Sequence, residues 1–226
     1  MTLEDMTSAI RTNVGTGLKE VSNYPFSLEQ IKDEISNMRS SIIYQLSSRG
    51  QLNPSYFSQS RKNIELSVST FPEEGVLESS DAVFFAKIPK LAMTKDNSSV
   101  LYLGPTDMSL NLKTYYSFNA LKTHQYSRVI KNRPYAFIDL SQDDNGFVPV
   151  YITNIGPFIF KNITIRAIFD DPVKILQEDG YFVDTEEFPA PLTVQEMIVD
   201  SISKKYITYY RSLSTPNKPN DQTDNN

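Results

Sequence analysis

Residues 27–49 set the strongest limit on how this chain can fold. Leu28, Ile31, Ile35, Met38, Ile42 and Leu46 recur at spacings of three and four, which places them on one face of a helix. Both ends are marked. Ser27 followed by Gln30 has the capping-box pattern, in which each side chain satisfies an orphan backbone donor, and Gly50 supplies a left-handed stop. A shorter stripe precedes it at Leu3, Met6, Ile10 and Val14, interrupted by Gly15-Thr16-Gly17 and linked through Asn23-Tyr24-Pro25. A third stripe, Val194, Met197, Ile198, Ile202, Tyr206, Tyr209 and Leu213, opens on a second capping-box pattern at Thr193 and Glu196.

Between the stripes the helical period disappears. From Asn53-Pro54 onward short apolar runs alternate with Pro, Gly, Asn and Ser, which is the pattern of strands and loops. Ile64, Leu66 and Val68 alternate with polar residues and predict one half-buried strand; Ala82 to Ile88, ending at Pro89, and Val100 to Leu103 predict two more. The polar segment from Lys90 to Ser99 reads as a long loop or arm. Tyr135 to Leu140, a turn at Asn145-Gly146, Phe147 to Thr153, a turn at Asn154 to Pro157 and Phe158 to Phe169 read as a three-stranded meander closed by Asp170-Asp171-Pro172. In the last of these strands Ile163, Ile165, Ala167 and Phe169 fall on one face and Thr164, Arg166 and Ile168 on the other. Pro172 to Gln177 begins a short helical turn, and Glu178 to Pro191 is an acidic loop. After Ser214 the composition has too little apolar material to offset the entropy of ordering, so the tail is expected to order only against a partner.

The expected fold class is therefore α+β, with N-terminal helices, an antiparallel β meander or sheet, a C-terminal helix and extended loops or arms. The expected divisions are a helical region over 1–52, a β-rich core over 53–191, a C-terminal helix over 192–213 and a disordered tail over 214–226. A length of 226 residues suits one ordinary domain, or a small one with extensions.

Composition lowers the expectation of catalysis. With no cysteine, the chain cannot build thiolate nucleophiles, Cys-based zinc sites or disulfides. His124 is the single histidine, and it lacks a recognisable nucleophile context. Glycines number 8, leaving little material for a phosphate-cradling loop. The acidic pairs Glu73-Glu74, Asp143-Asp144, Asp170-Asp171 and Glu186-Glu187 each sit at a predicted turn, where solvation and turn formation account for them. Ser141 to Gly146 fails as a calcium loop, because Ile152 stands where the bidentate Glu would be needed. No catalytic residue, cofactor or metal site is assigned. The N-terminus lacks the basic flank and apolar block of a signal peptide, and no run approaches the roughly 20 apolar residues that span a bilayer. The expectation is a protein that is neither exported nor membrane-bound.

The net charge of −5 argues against a surface adapted throughout to nucleic acid. One stretch runs the other way. Between Asp107 and Asp139 there is no acidic residue, while Lys113, Lys122, Arg128, Lys131 and Arg133 occur with Tyr115, Tyr116, Phe118 and Tyr126. These are the candidate partner or DNA contacts, with the cations for phosphate and the rings for stacking. The structural reading of the same stretch, a contact with an acidic neighbour or a solvated surface over core aromatics, is favoured.

Several segments, in order, resemble a known family. Gly17-Leu18-Lys19-Glu20-Val21-Ser22-Asn23-Tyr24 leading into Phe26-Ser27-Leu28-Glu29-Gln30-Ile31, then Ile88-Pro89-Lys90, Leu103-Gly104-Pro105-Thr106-Asp107, Arg133-Pro134-Tyr135-Ala136-Phe137-Ile138 and Arg166-Ala167-Ile168-Phe169-Asp170-Asp171-Pro172 resemble the ring, or head-to-tail connector, virion proteins of crAss-like bacteriophages. The resemblance spans about residues 2 to 213. It implies a structural, non-enzymatic virion protein in the neck or tail region, assembled in the host cytoplasm. It also implies a ring of copies, twelvefold as in phage portals, stacked below the portal against neighbouring ring or tail proteins, with genomic DNA passing transiently through its channel. A nucleic-acid-binding accessory protein working through residues 113–133 is the alternative, and an enzyme using scattered carboxylates is a further one.

Overall fold

The computed structural model describes residues 1–18, 26–69, 83–96, 99–117, 119–121, 134–141, 145–153, 161–173, 175 and 187–214. The expected link at Asn23 to Pro25, the turn at Asn154 to Pro157, most of the acidic loop and the tail beyond Ser214 lie outside these residues.

Three α-helices are described: α1 (Leu3–Gly17), α2 (Leu28–Ser48) and α3 (Leu192–Ser214). The stripe of α2 forms as its spacing predicts. Ser27 and Gln30 make the capping box, with Gln30 N–H donating to Ser27 Oγ at 3.1 Å and Ser27 N–H to Gln30 Oε1 at 3.0 Å. At the other end Gly50, at φ +67°, lets Gly50 N–H reach the Ser47 carbonyl and Gln51 N–H the Leu46 carbonyl, the two bonds of a Schellman stop. Helix α1 buries Leu3, Met6, Ile10 and Val14 and starts on its own capping box, Thr2 with Asp5. It is not interrupted at Gly15-Thr16-Gly17. A Cβ on Gly17 would lie 2.7 Å from Ile207 Cδ1, so a residue that looked like a breaker instead lets α1 approach α3 closely. The start of α3 also differs from expectation. Pro191 supplies the first accepting carbonyl, to Val194 and Gln195, so Thr193 and Glu196 lie inside the helix and form no capping box there.

Among the described residues there are eight strands: β1 (Gln59–Glu65), β2 (Ser67–Ser69), β3 (Val83–Pro89), β4 (Val100–Pro105), β5 (Lys113–Tyr115), β6 (Tyr135–Ile138), β7 (Phe147–Thr153) and β8 (Asn162–Ala167). One sheet has the order β2-β3-β7-β6-β5 and the other β1-β8-β4; every pairing is antiparallel except that of β5 with β6. The expected meander is only half present. β6 and β7 pair as a hairpin through a longer connection over 139–146, of which 142–144 lie outside the described residues; Asn145 and Gly146, both at positive φ, lead from it into β7. β8 leaves that sheet and pairs with β1 and β4. Likewise Ile64, Leu66 and Val68 do not share one strand: at Leu66, whose N–H bonds the Lys161 carbonyl, the chain passes from one sheet to the other, and Val68 ends up exposed.

Strand alternation sorts the side chains into layers. Ile88, Ile138, Val148, Val150, Ile152, Ile163 and Ile165 fill the space between the two sheets. The opposite face of the five-stranded sheet carries Val83, Tyr115, Tyr135, Phe137 and Tyr151, with Leu121 against them. The helices pack on one another and on the chain that follows β8, where Ile168 joins Met6, Ile10, Ile31, Ile35, Ile43, Ile198 and Ile202. The segment after Lys90 belongs to this packing and is no free arm. Leu91 and Ala92 are buried, Leu91 bridges to Phe169, and Ala92 N–H bonds the Ile168 carbonyl at 2.9 Å.

Candidate functional site

Of the five candidate contact residues, Lys113 alone lies within the described structure; Lys122, Arg128, Lys131 and Arg133 fall outside it. Lys113 opens β5 at the edge of the five-stranded sheet, exposed, with its ammonium 5.3 Å from the centre of the Tyr115 ring. Tyr115 offers no stacking face to a base. It is buried and meets Tyr135 edge-on, with ring centres 5.9 Å apart. Burial also raises the Tyr116 hydroxyl above its ordinary range. Tyr115 and Tyr116, the described aromatics of the stretch, thus pack against the two buried clusters of the sheets.

Polar chemistry gathers instead at a junction that the sequence reading passed over. Arg39, on the buried face of α2, is fully enclosed. Its Nε donates to the Pro189 carbonyl at 3.0 Å, Nη1 to Phe169 at 2.9 Å and Nη2 to Phe57 at 2.8 Å. One planar guanidinium thus ties together the turn after α2, the end of β8 and the approach to α3. Burial lowers its pKa to about 10, offset in part by the nearby Asp170 and Asp171, and at neutral pH the group stays charged. Gln195 completes the clamp: its Nε2 donates to the Phe188 and Ala190 carbonyls. The signal was present, because Arg39 follows Ile31 and Ile35 at the same spacing of four.

Of the acidic pairs, Asp170 makes a tertiary contact with α2 and Asp171 shapes a turn. Asp170 accepts from Ser40 Oγ at 3.1 Å, and Asp171 Oδ1 accepts from Val173 N–H at 2.9 Å. Among the described residues, no group of three or more His, Cys, Asp or Glu could hold a metal ion, and no helix is long and apolar enough to cross a membrane. His124 lies outside those residues.

Two surface features stand apart from the clamp. A groove of about 500 Å³ between α1 and α2 is lined by Glu4, Thr7, Arg11, Leu28 and Lys32. Leu28, counted in the apolar stripe, is 50% exposed there. At the corner between β4 and β5, the chain displays Met108 at φ +57°.

The family model described as phage tail ring protein 2 matches residues 7–226. The chain belongs to the phage tail ring protein 2 family. The match takes in most of α1, both sheets and α3, and it agrees with the resemblance to crAss-like phage ring proteins. For a tail ring protein of a phage, a fold invested in clamps and surfaces is the expected use of side chains. No curated protein matches the chain.

Proposed function

We propose that the chain is a structural subunit that closes with copies of itself into a ring of the head-to-tail connector below the portal, twelvefold in keeping with portal symmetry, and extends the channel for DNA. The family match over residues 7–226 carries this reading. Closed rings need two different, complementary surfaces on one subunit, and a helical layer on one side with a sheet corner on the other provides distinct faces. The net charge of −5 suits a wall along which DNA must slide, since strong phosphate binding would arrest it. The partners on this reading are the portal, neighbouring ring or tail proteins and, transiently, genomic DNA; the work is assembly and no reaction is catalysed. Electron microscopy of the chain mixed with the portal and adjoining tail proteins tests it. Rings stacked on the portal are expected, and a chain that stays monomeric in that mixture overturns the reading.

A further inference from the structure

We infer that the outer face of the three-stranded sheet is a contact surface for the phosphate backbone of double-stranded DNA, with Lys62, Lys161 and Arg166 as its cations. This rests on the ring reading, in which DNA passes through the channel, and names the face that meets it.

Alternation along the strands fixes what the face presents. Ile64, Leu103, Ile163, Ile165 and Ala167 point between the two sheets, so Ser60, Glu65, Asn162 and Arg166 point the other way. The helices pack on the chain that follows β8 and leave this side open: Ser60, Lys62, Glu65, Asn162 and Arg166 are all exposed. A bulge adds to it. Lys62 and Asn63 fall between the pairs Arg61–Ile165 and Ile64–Ile163, so both stand opposite Thr164, with Asn63 at φ +57°. Bulges of this kind bend a strand and re-aim its side chains. Lys161 is exposed where β8 begins, its carbonyl accepting from Leu66 N–H at 2.9 Å. Arg166 donates from Nε to Ser58 Oγ at 3.2 Å, which orients the guanidinium and keeps Nη1 and Nη2 outside that bond. Glu65 is the one carboxylate on β1, β4 and β8. Among the described residues, none of the three cations makes an ion pair.

Two observations favour a nucleic-acid backbone over an acidic protein. Protein partners draw most of their binding energy from large apolar anchors, and none of the large apolar side chains that the described chain exposes lies on β1, β4 or β8. The Tyr102 hydroxyl on this face is already committed to the Pro105 and Leu110 carbonyls. The second observation is spacing. Lys161 and Arg166 stand roughly 17 Å apart along β8, with Lys62 between them, and a duplex presents about five phosphates per strand over that length. Three cations spread over that distance attract weakly, which suits a channel through which DNA must slide.

The test is a titration of the nitrogen-15-labelled full chain with a short DNA duplex at low salt, followed by amide chemical shifts. Shifts are expected at residues 60–65 and 161–166, with an affinity that falls with salt at a log–log slope of about −2 to −3. Each single change, Lys62→Gln, Lys161→Gln or Arg166→Gln, is expected to bring that slope about 1 closer to zero while the rest of the spectrum keeps its folded pattern. Shifts concentrated elsewhere, or none at all, overturn the contact. Equal shifts with poly-glutamate at matched charge overturn it too, and assign the face to an acidic protein. The titration needs no ring. Rings seen by electron microscopy in a chain that shows no shifts here remove the contact and leave the ring reading standing; shifts here in a chain that forms no ring keep the contact and remove the ring reading.

Discussion

Arg39 shows how much one residue can fix. Its three donors satisfy carbonyls up to 150 positions away in sequence, and in a buried site an unsatisfied carbonyl carries a desolvation cost. Replacing Arg39 by Met is expected to lower stability by about 3 to 5 kcal/mol, the range for breaking a buried charged network from one side; urea unfolding followed by far-UV circular dichroism measures it. Lysine should not rescue, since a single ammonium cannot span the three acceptors that the planar fork reaches. Tyr206 adds a pH dependence. Burial first, then the Glu34 carboxylate, push its hydroxyl up to about 12, above the ordinary value of 10.0. A proton held more tightly by the folded chain contributes stability that is complete below pH 10.0 and lost as pH rises toward 12. Tyr206→Phe should therefore lose less stability than wild type between pH 9 and pH 11, read from urea midpoints at the two values.

Among the elements, those governed by local rules were the most legible. The α2 stripe, its capping box and the Gly50 stop all follow from residues a few positions apart. Long-range events were hidden. Nothing local tells β8 to leave the hairpin's sheet, or the strand containing Ile64 and Val68 to bend across two sheets at Leu66. The parallel pairing of β5 with β6 was equally silent. Within the stripe itself, period alone cannot separate core from surface. Ile35 is fully buried and Leu28 half exposed, though both obey the same spacing. Ile35→Ala should cost about 2 to 5 kcal/mol. Leu28→Ala should change stability by no more than about 0.5 kcal/mol, and parallel thermal and urea unfolding of the two variants makes the comparison. Equal losses would mean that the groove beside Leu28 is closed in the free subunit.

For the whole molecule, residues that the sequence offered for binding are part of the packing of the two sheets. Side chains that composition offered as binding aromatics, Tyr115 above all, are part of a core, and Asp171 of the acidic pairs serves a turn. The candidate site of the sequence reading was legible only in part, because four of its five cations lie outside the described residues. The clamp and the two surface features depend on which segments meet in space. Single-particle electron microscopy of the chain assembled with the portal and neighbouring tail proteins is the most direct measurement. The account predicts a closed ring of identical subunits, twelve to the turn, stacked coaxially below the portal; monomers scattered beside bare portals would contradict it.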